Sequence, residues 1–227
     1  MSTFLLIATA LYAAALLVAD RIERDRQPGL RRISFYERLR AMMRRALEAA
    51  DPIHASLGSG SVLTAAPQAL AASAVARVTG QVTRGVPPAL VTCGSPTLLV
   101  TCGAALESLH GAALETQPQL LGTEPLAFAV GGWEATANRA LSGEVYLGPF
   151  GVDGLLLAEG AQADVPERLA GVANLDVAGT LLLGASDGVV GEDVYAASAY
   201  TGERPRLGGL AVQDGLRVAL ALAMLVG

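Results

Sequence analysis

Residues 53–61 read Ile53-His54-Ala55-Ser56-Leu57-Gly58-Ser59-Gly60-Ser61, an apolar run that stops at a glycine turn and passes into an alanine-rich helical segment over about 65–79. Asp51-Pro52 breaks whatever helix precedes it. The unit is therefore strand, glycine turn, helix. The same order returns at Pro88–Thr92, which ends in Cys93-Gly94-Ser95-Pro96 before a helix through Leu106 and Leu109. It returns again at Glu144–Leu147, ending in Gly148-Pro149-Phe150-Gly151 before a helix through Leu155 to Ala161. A fourth round reads Gly179–Leu183 as strand, Gly184-Ala185-Ser186-Asp187-Gly188 as turn, and about Gly191–Tyr200 as helix. Leu126–Val130 adds a strand before a helix around Trp133–Leu141, or forms that helix's first turns.

Strands alternating with helices at this spacing predict an α/β fold, a mainly parallel sheet with helices on both faces, Rossmann-like in kind. Apolar runs such as Leu181-Leu182-Leu183 suit strands buried on both sides. In such a sheet every strand-to-helix turn emerges at one edge, where open α/β sheets bind ligands. The candidate ligand-binding residues are therefore Gly58, Ser59, Gly60, Ser61, Gly94, Ser95, Gly148, Gly151, Ser186 and Asp187. Their backbone N–H groups and hydroxyls could hold an anion at a helix N-terminus. The competing reading is that these glycines only make tight turns and let helices approach the sheet.

Most of the familiar catalytic signatures are missing. There is no Lys in the chain and hence no phosphate-loop motif, the strict G-x-G-x-x-G spacing is not met, and H-E-x-x-H does not occur; the letters G-x-S-x-G occur once, at Gly184-Ala185-Ser186-Asp187-Gly188, the stretch read above as a turn. His54 sits on the first strand and reads as a structural histidine before it reads as a base. Glu192 and Asp193 suit the positive end of a helix, and Asp153 and Asp187 suit turns. Cys93 and Cys102, nine residues apart, lack metal-ligand spacing and read as small buried hydrophobes. Neither a catalytic residue, a metal nor a cofactor is expected.

The ends of the chain point to a membrane. Thr3–Ala19 carries no charge and spans about 25 Å as a helix, the lower limit for crossing a bilayer. It reads as an anchor over residues 1–20; the rival, a cleaved signal ending at Leu17-Val18-Ala19, lacks a basic residue in its first three positions. Arg21, Arg24, Arg26, Arg31 and Arg32 follow at once, which places the remainder on the cytoplasmic face. Residues 21–50 form a basic juxtamembrane segment with an amphipathic helix over Ser34–Ala50. Its stripe of Phe35, Leu39, Met42, Met43 and Leu47 faces either lipid or the domain. The domain itself is set at 51–206. Leu207–Gly227 reads as an apolar helix, too short after Arg217 to cross alone, that inserts partly or docks on a membrane partner.

Charge is unevenly divided. Residues 20–50 carry nine Arg against five acids, whereas 51–227 carry seven Arg against sixteen acids. So acidic a body is a poor nucleic-acid binder.

The segments Ile53–Gly60, Tyr146–Gly151 and Gly191–Tyr200 resemble those of a family of bacterial membrane-anchored proteins described as a domain of unknown function. The likeness covers most of the chain after Asp51. Such a resemblance implies membrane attachment at both ends and supplies no activity. The function expected is thus a membrane-anchored, self-associating scaffold or interaction protein whose partners are lipid, its own copies or other membrane proteins. The alternative is a nucleotide- or phosphate-metabolite-binding module using the glycine loops.

Overall fold

The computed structural model describes residues 12–15, 18, 31–82, 88–110, 116–160, 165–201, 215 and 224. The chain divides into two compact units, Ile33–Thr201 and the terminal segments Met1–Arg32 with Gly202–Gly227. Residues 12–15, 18, 215 and 224 are helical. Most of the expected anchor and of the expected apolar C-terminal helix lies outside the described residues. Among the described residues, no helix is long and apolar enough to cross a membrane.

The larger unit runs α1 (Ser34–Ala49), β1 (Ile53–Ser56), α2 (Ala66–Val82), β2 (Leu90–Cys93), α3 (Pro96–His110), β3 (Pro118–Leu120) and α4 (Pro125–Thr136). It continues with β4 (Gly143–Leu147), α5 (Val152–Glu159), β5 (Arg168–Val172), α6 (Leu175–Leu183) and β6 (Asp187–Val190). A 3₁₀ helix (Gly191–Ala196) and α7 (Ala197–Thr201) close it. The six strands are all parallel in the order β3-β2-β1-β4-β5-β6. That is the order of dinucleotide-binding sheets, reversing direction between β1 and β4. The direction of winding puts α2 and α3 on one face and α4, α5 and α6 on the other, because parallel crossovers are right-handed.

The expected α/β fold with a parallel sheet is what forms, and the helix beginning at Ser34 belongs to it. Phe35, Leu39, Met42, Met43 and Ala46 are all buried, and a Cβ on Gly143 of β4 would lie 2.6 Å from Met42 Cε. The stripe therefore packs on the sheet; Leu47, included in it from the spacing, stays half exposed. The domain begins near Ile33 rather than Asp51.

The fourth strand–turn–helix round is corrected. Leu181-Leu182-Leu183 closes helix α6, whose first turn is capped by the Asn174 side chain accepting from the Asp176 amide at 3.0 Å. A short apolar run suits a buried helix as well as a strand, and a helix cap decides here. The strand follows at Asp187–Val190, where a turn was expected. On the opposite face, Cys93 and Cys102 are fully buried free thiols, which burial pushes up to about 11 and about 12.

Candidate functional site

Three of the four glycine loops meet at the C-terminal edge of the sheet, and they are bonded to one another. The Gly60 amide donates to the Pro149 carbonyl at 2.8 Å, joining the loops after β1 and β4 across the switch point. The Gly94 amide donates to the Gly58 carbonyl at 2.9 Å, adding the loop after β2. Gly58 has φ +82°, and a Cβ there would stand 2.6 Å from the Pro149 carbonyl oxygen; one on Gly60 would stand 2.7 Å from the same atom. These glycines are needed because two backbones touch.

Several of the amides that could cradle an anion are already used. At the entry to α2, Val62 N–H donates to Thr97 Oγ1, Leu63 N–H to Ser61 Oγ, and Thr64 and Ala65 N–H to the Ser61 carbonyl. At the entry to α5, Gly151 N–H donates to Asp153 Oδ1 at 2.7 Å and Gly154 N–H to the Gly151 carbonyl. Ser95 Oγ is held by Thr97 Oγ1 at 2.8 Å. Between 57–65, 94–100, 121–128, 148–156 and 173–179, the stretches that leave the strands here, there is no Arg, and the charged residues are Glu124, Asp153 and Asp176.

Asp153 is the unusual member. It is fully buried, and while Oδ1 caps the Gly151 amide, Oδ2 lacks a hydrogen-bond partner although Ser59 lies beside it. Burial raises its carboxyl above the usual range, and the neighbouring Gly151 amide and Ser59 work to lower it. A carboxyl so placed offers a phosphate no counter-charge, and its Oδ1 ties down the Gly151 amide.

Ser186 and Asp187 do not join this edge. Ser186 precedes β6 and Asp187 opens it, at the other end of the sheet, where Ser186 Oγ accepts from the Arg168 amide at 3.2 Å and Asp187 pairs with Arg38 at 3.4 Å. Their role is to fasten α1 and β6 to β5, and they leave the candidate ligand set.

A polar cluster that spacing did not reveal lies under α4–α6. His54 Nε2 is 2.9 Å from Thr92 Oγ1, and its Nδ1 is 3.5 Å from Glu144 Oε1. Glu144 Oε2 accepts from Arg168 Nε at 2.9 Å and from the Tyr146 hydroxyl at 3.0 Å. Burial pushes the Glu144 carboxyl up, but bonding to His54 and Arg168 outweighs it and holds the carboxyl below its ordinary value. Hydroxyl, imidazole and carboxylate in line suggest a nucleophile set, yet Thr92, His54 and Glu144 are all sealed in the core. The cluster is internal bonding among four neighbouring strands, β2, β1, β4 and β5. The signal for it was the pair Glu144 and Arg168 inside otherwise apolar strands, since charge is rarely buried unpaired. Among the described residues, no group of three or more His, Cys, Asp or Glu could hold a metal ion.

A family match covers residues 3–227, nearly the whole chain. The chain belongs to the family described as Domain of unknown function (DUF6754). No curated protein and no solved structure matches it. For this DUF6754 chain a function has to be argued from the site itself, because the doubly wound fold hosts many.

Proposed function

We propose that this chain is a membrane-anchored scaffold or interaction protein that self-associates, with its α/β domain on the cytoplasmic face. The observation that carries the reading is the seam between Gly60 and Pro149. Where sheets of this strand order hold a nucleotide's phosphates, this chain bonds its own loops together, spends several of its amides internally and offers no cation. An edge so finished is built for rigidity.

Support for the tether comes from the two ends of the domain. Tyr36 stacks on Tyr200, so the first and last helices of the domain lie together. Both apolar termini can then serve one bilayer, by one crossing or two, with Arg21–Arg32 keeping the domain on the cytoplasmic side.

The nucleotide- or phosphate-metabolite-binding reading has the strand order in its favour and the charge of the edge against it. Thermal-shift measurement of the full chain in detergent, against nucleotides and sugar phosphates, separates the two. The scaffold reading expects no stabilisation by any of them. A shift with one compound that disappears in Gly60→Val overturns it.

A further inference from the structure

Large apolar side chains that face water gather at one end of this domain. All six strands run the same way, so each helix that follows a strand starts at the C-terminal edge of the sheet and runs back across it. Every one of those helices, α2 to α6, has such a side chain near its start. They are Leu63 ahead of α2, Val100 in the second turn of α3, and Leu126, Val152 and Leu175 in the first turns of α4, α5 and α6, all between 60% and 88% exposed. Single exposed leucines are ordinary, but these occur on both helical layers and at the same edge.

Charge is distributed the other way. The exposed charges of α2, α3, α4 and α5 are Arg77, Glu107, Glu134 and Glu159, each in the second half of its helix, toward the opposite edge. The first halves of those four helices carry only Asp153, which is buried. Among the described residues, the second halves of α2 to α6 expose a single large apolar side chain, Leu183. This part of the domain is therefore amphipathic along its strands, apolar where the loops lie and charged where the strands begin.

We infer that this loop edge rests on the surface of a phospholipid bilayer, with the five apolar side chains reaching the acyl boundary. The inference rests on the reading of the chain as membrane-anchored, and it names the part of the domain that the anchor brings to lipid. The five side chains stand on both sides of loops that the Gly60–Pro149 and Gly94–Gly58 bonds close, which makes a rim, and a bilayer conforms to a rim as a folded partner does not. Residues 202–206 join Thr201 to the apolar segment expected at lipid, and that stretch extends to about 20 Å at most, which keeps α7 close to the surface. α7 follows the turns that leave β6 at this edge, and the first turn of α1 is bonded to those same turns, the Tyr36 hydroxyl donating to the Asp193 carbonyl at 2.9 Å. With no Arg in the loops and Glu124 and Asp176 exposed beside them, the contact is apolar insertion among neutral headgroups. The same two acids set one edge against another and disfavour a pair of copies joined here.

Fluorescence of the full chain in phosphatidylcholine nanodiscs, one chain to a disc, tests this. Cys93 and Cys102 are sealed, so an environment-sensitive thiol label goes to a single introduced cysteine. Leu63→Cys and Leu175→Cys report the loop edge, while Arg77→Cys and Leu183→Cys report the far halves of the same two helices; all four positions are exposed, and thermal unfolding confirms that each variant is folded. Labels at 63 and 175 are expected to be quenched by doxyl-labelled lipid and to be quenched by aqueous iodide about threefold less than those at 77 and 183. Four labels equally open to iodide, on a chain that enters the discs, would overturn the edge contact and leave the anchor standing. Protection from iodide without quenching by lipid, or protection at 175 and not at 63, would overturn it in favour of a protein covering. A chain that does not enter the discs at all would overturn the anchor and the contact together.

Discussion

Tyr36, in the first turn of α1, lies parallel to Tyr200, next to the last residue of the domain, with ring centroids 4.6 Å apart and planes 8° from parallel. The Tyr36 hydroxyl donates to the carbonyls of Asp193 and Val194 at 2.9 and 3.2 Å, and Arg40 donates to the Tyr200 carbonyl at 2.7 Å. The N-terminal helix thus clasps the C-terminal turns of the fold. Tyr36→Phe should cost about 0.5–1.5 kcal/mol of stability through the lost hydrogen bond, measured by urea unfolding. Tyr36→Ala should cost more, about 3–5 kcal/mol, if loss of its buried ring resembles that of other large aromatics.

The boundary of the domain follows from the same helix. A fragment beginning at Asp51 leaves bare the sheet surface that Phe35, Leu39 and Met42 cover, and should aggregate or bind apolar dyes. One beginning at Ile33 should give a cooperative transition. Circular dichroism and dye binding on the two fragments decide it.

Glu144 should make stability fall in acid. Its carboxyl is held below the ordinary value in the folded chain, so its contribution is present above the unfolded carboxyl's pKa, about 4.3, and is lost as pH falls through the lower folded value. Glu144→Ala, which takes the carboxylate away from Arg168, His54 and the Tyr146 hydroxyl, should cost about 3–5 kcal/mol at pH 7. Pairing it with Arg168→Met should cost less than the sum of the two single changes, as a double-mutant cycle will show.

Asp153 has the opposite sign. Its carboxyl is raised on folding, so its stability is fully present below the unfolded value, about 3.9, and is lost as pH rises through the folded one. Asp153→Asn keeps an acceptor for the Gly151 amide and removes the buried charge. The variant should therefore melt higher than the wild type at pH 7–8, with the difference shrinking toward pH 4. Melting curves across that range check the direction.

The seam between the loops should be sensitive to single methyl groups. Gly58→Ala adds a positive-φ penalty of about 1–2 kcal/mol and a clash with the Pro149 carbonyl. Gly179→Ala, on the open outer side of α6, should stabilise by about 0.4–1 kcal/mol instead. Chemical denaturation of the pair gives both signs in one experiment.

Strands β1, β2 and β4 were legible because each ends in a glycine turn and is mostly apolar. The others broke that pattern for physical reasons. β3 is three residues beginning with Pro118, β5 opens on the paired Arg168, and β6 opens with Asp187-Gly188, which reads as a turn. Missing β6 moved Ser186 and Asp187 to the wrong edge. The convergence of Gly58–Ser61, Gly94–Ser95 and Gly148–Gly151 was legible from topology, but the partners of their amides were not. A glycine placed to admit a phosphate and one placed to admit Pro149 look identical in sequence. Likewise the meeting of His54, Glu144 and Arg168 depends on which strands are neighbours, and periodicity carries no information about that.

Cys93 and Cys102 give this chain an internal clock. Both thiols are sealed, and burial holds their ionisation near 11 and 12, so at neutral pH an alkylating reagent has almost no thiolate to attack until the core opens. The rate of modification then counts opening events directly, in detergent or in native vesicles, without a dye, a tag or an added probe.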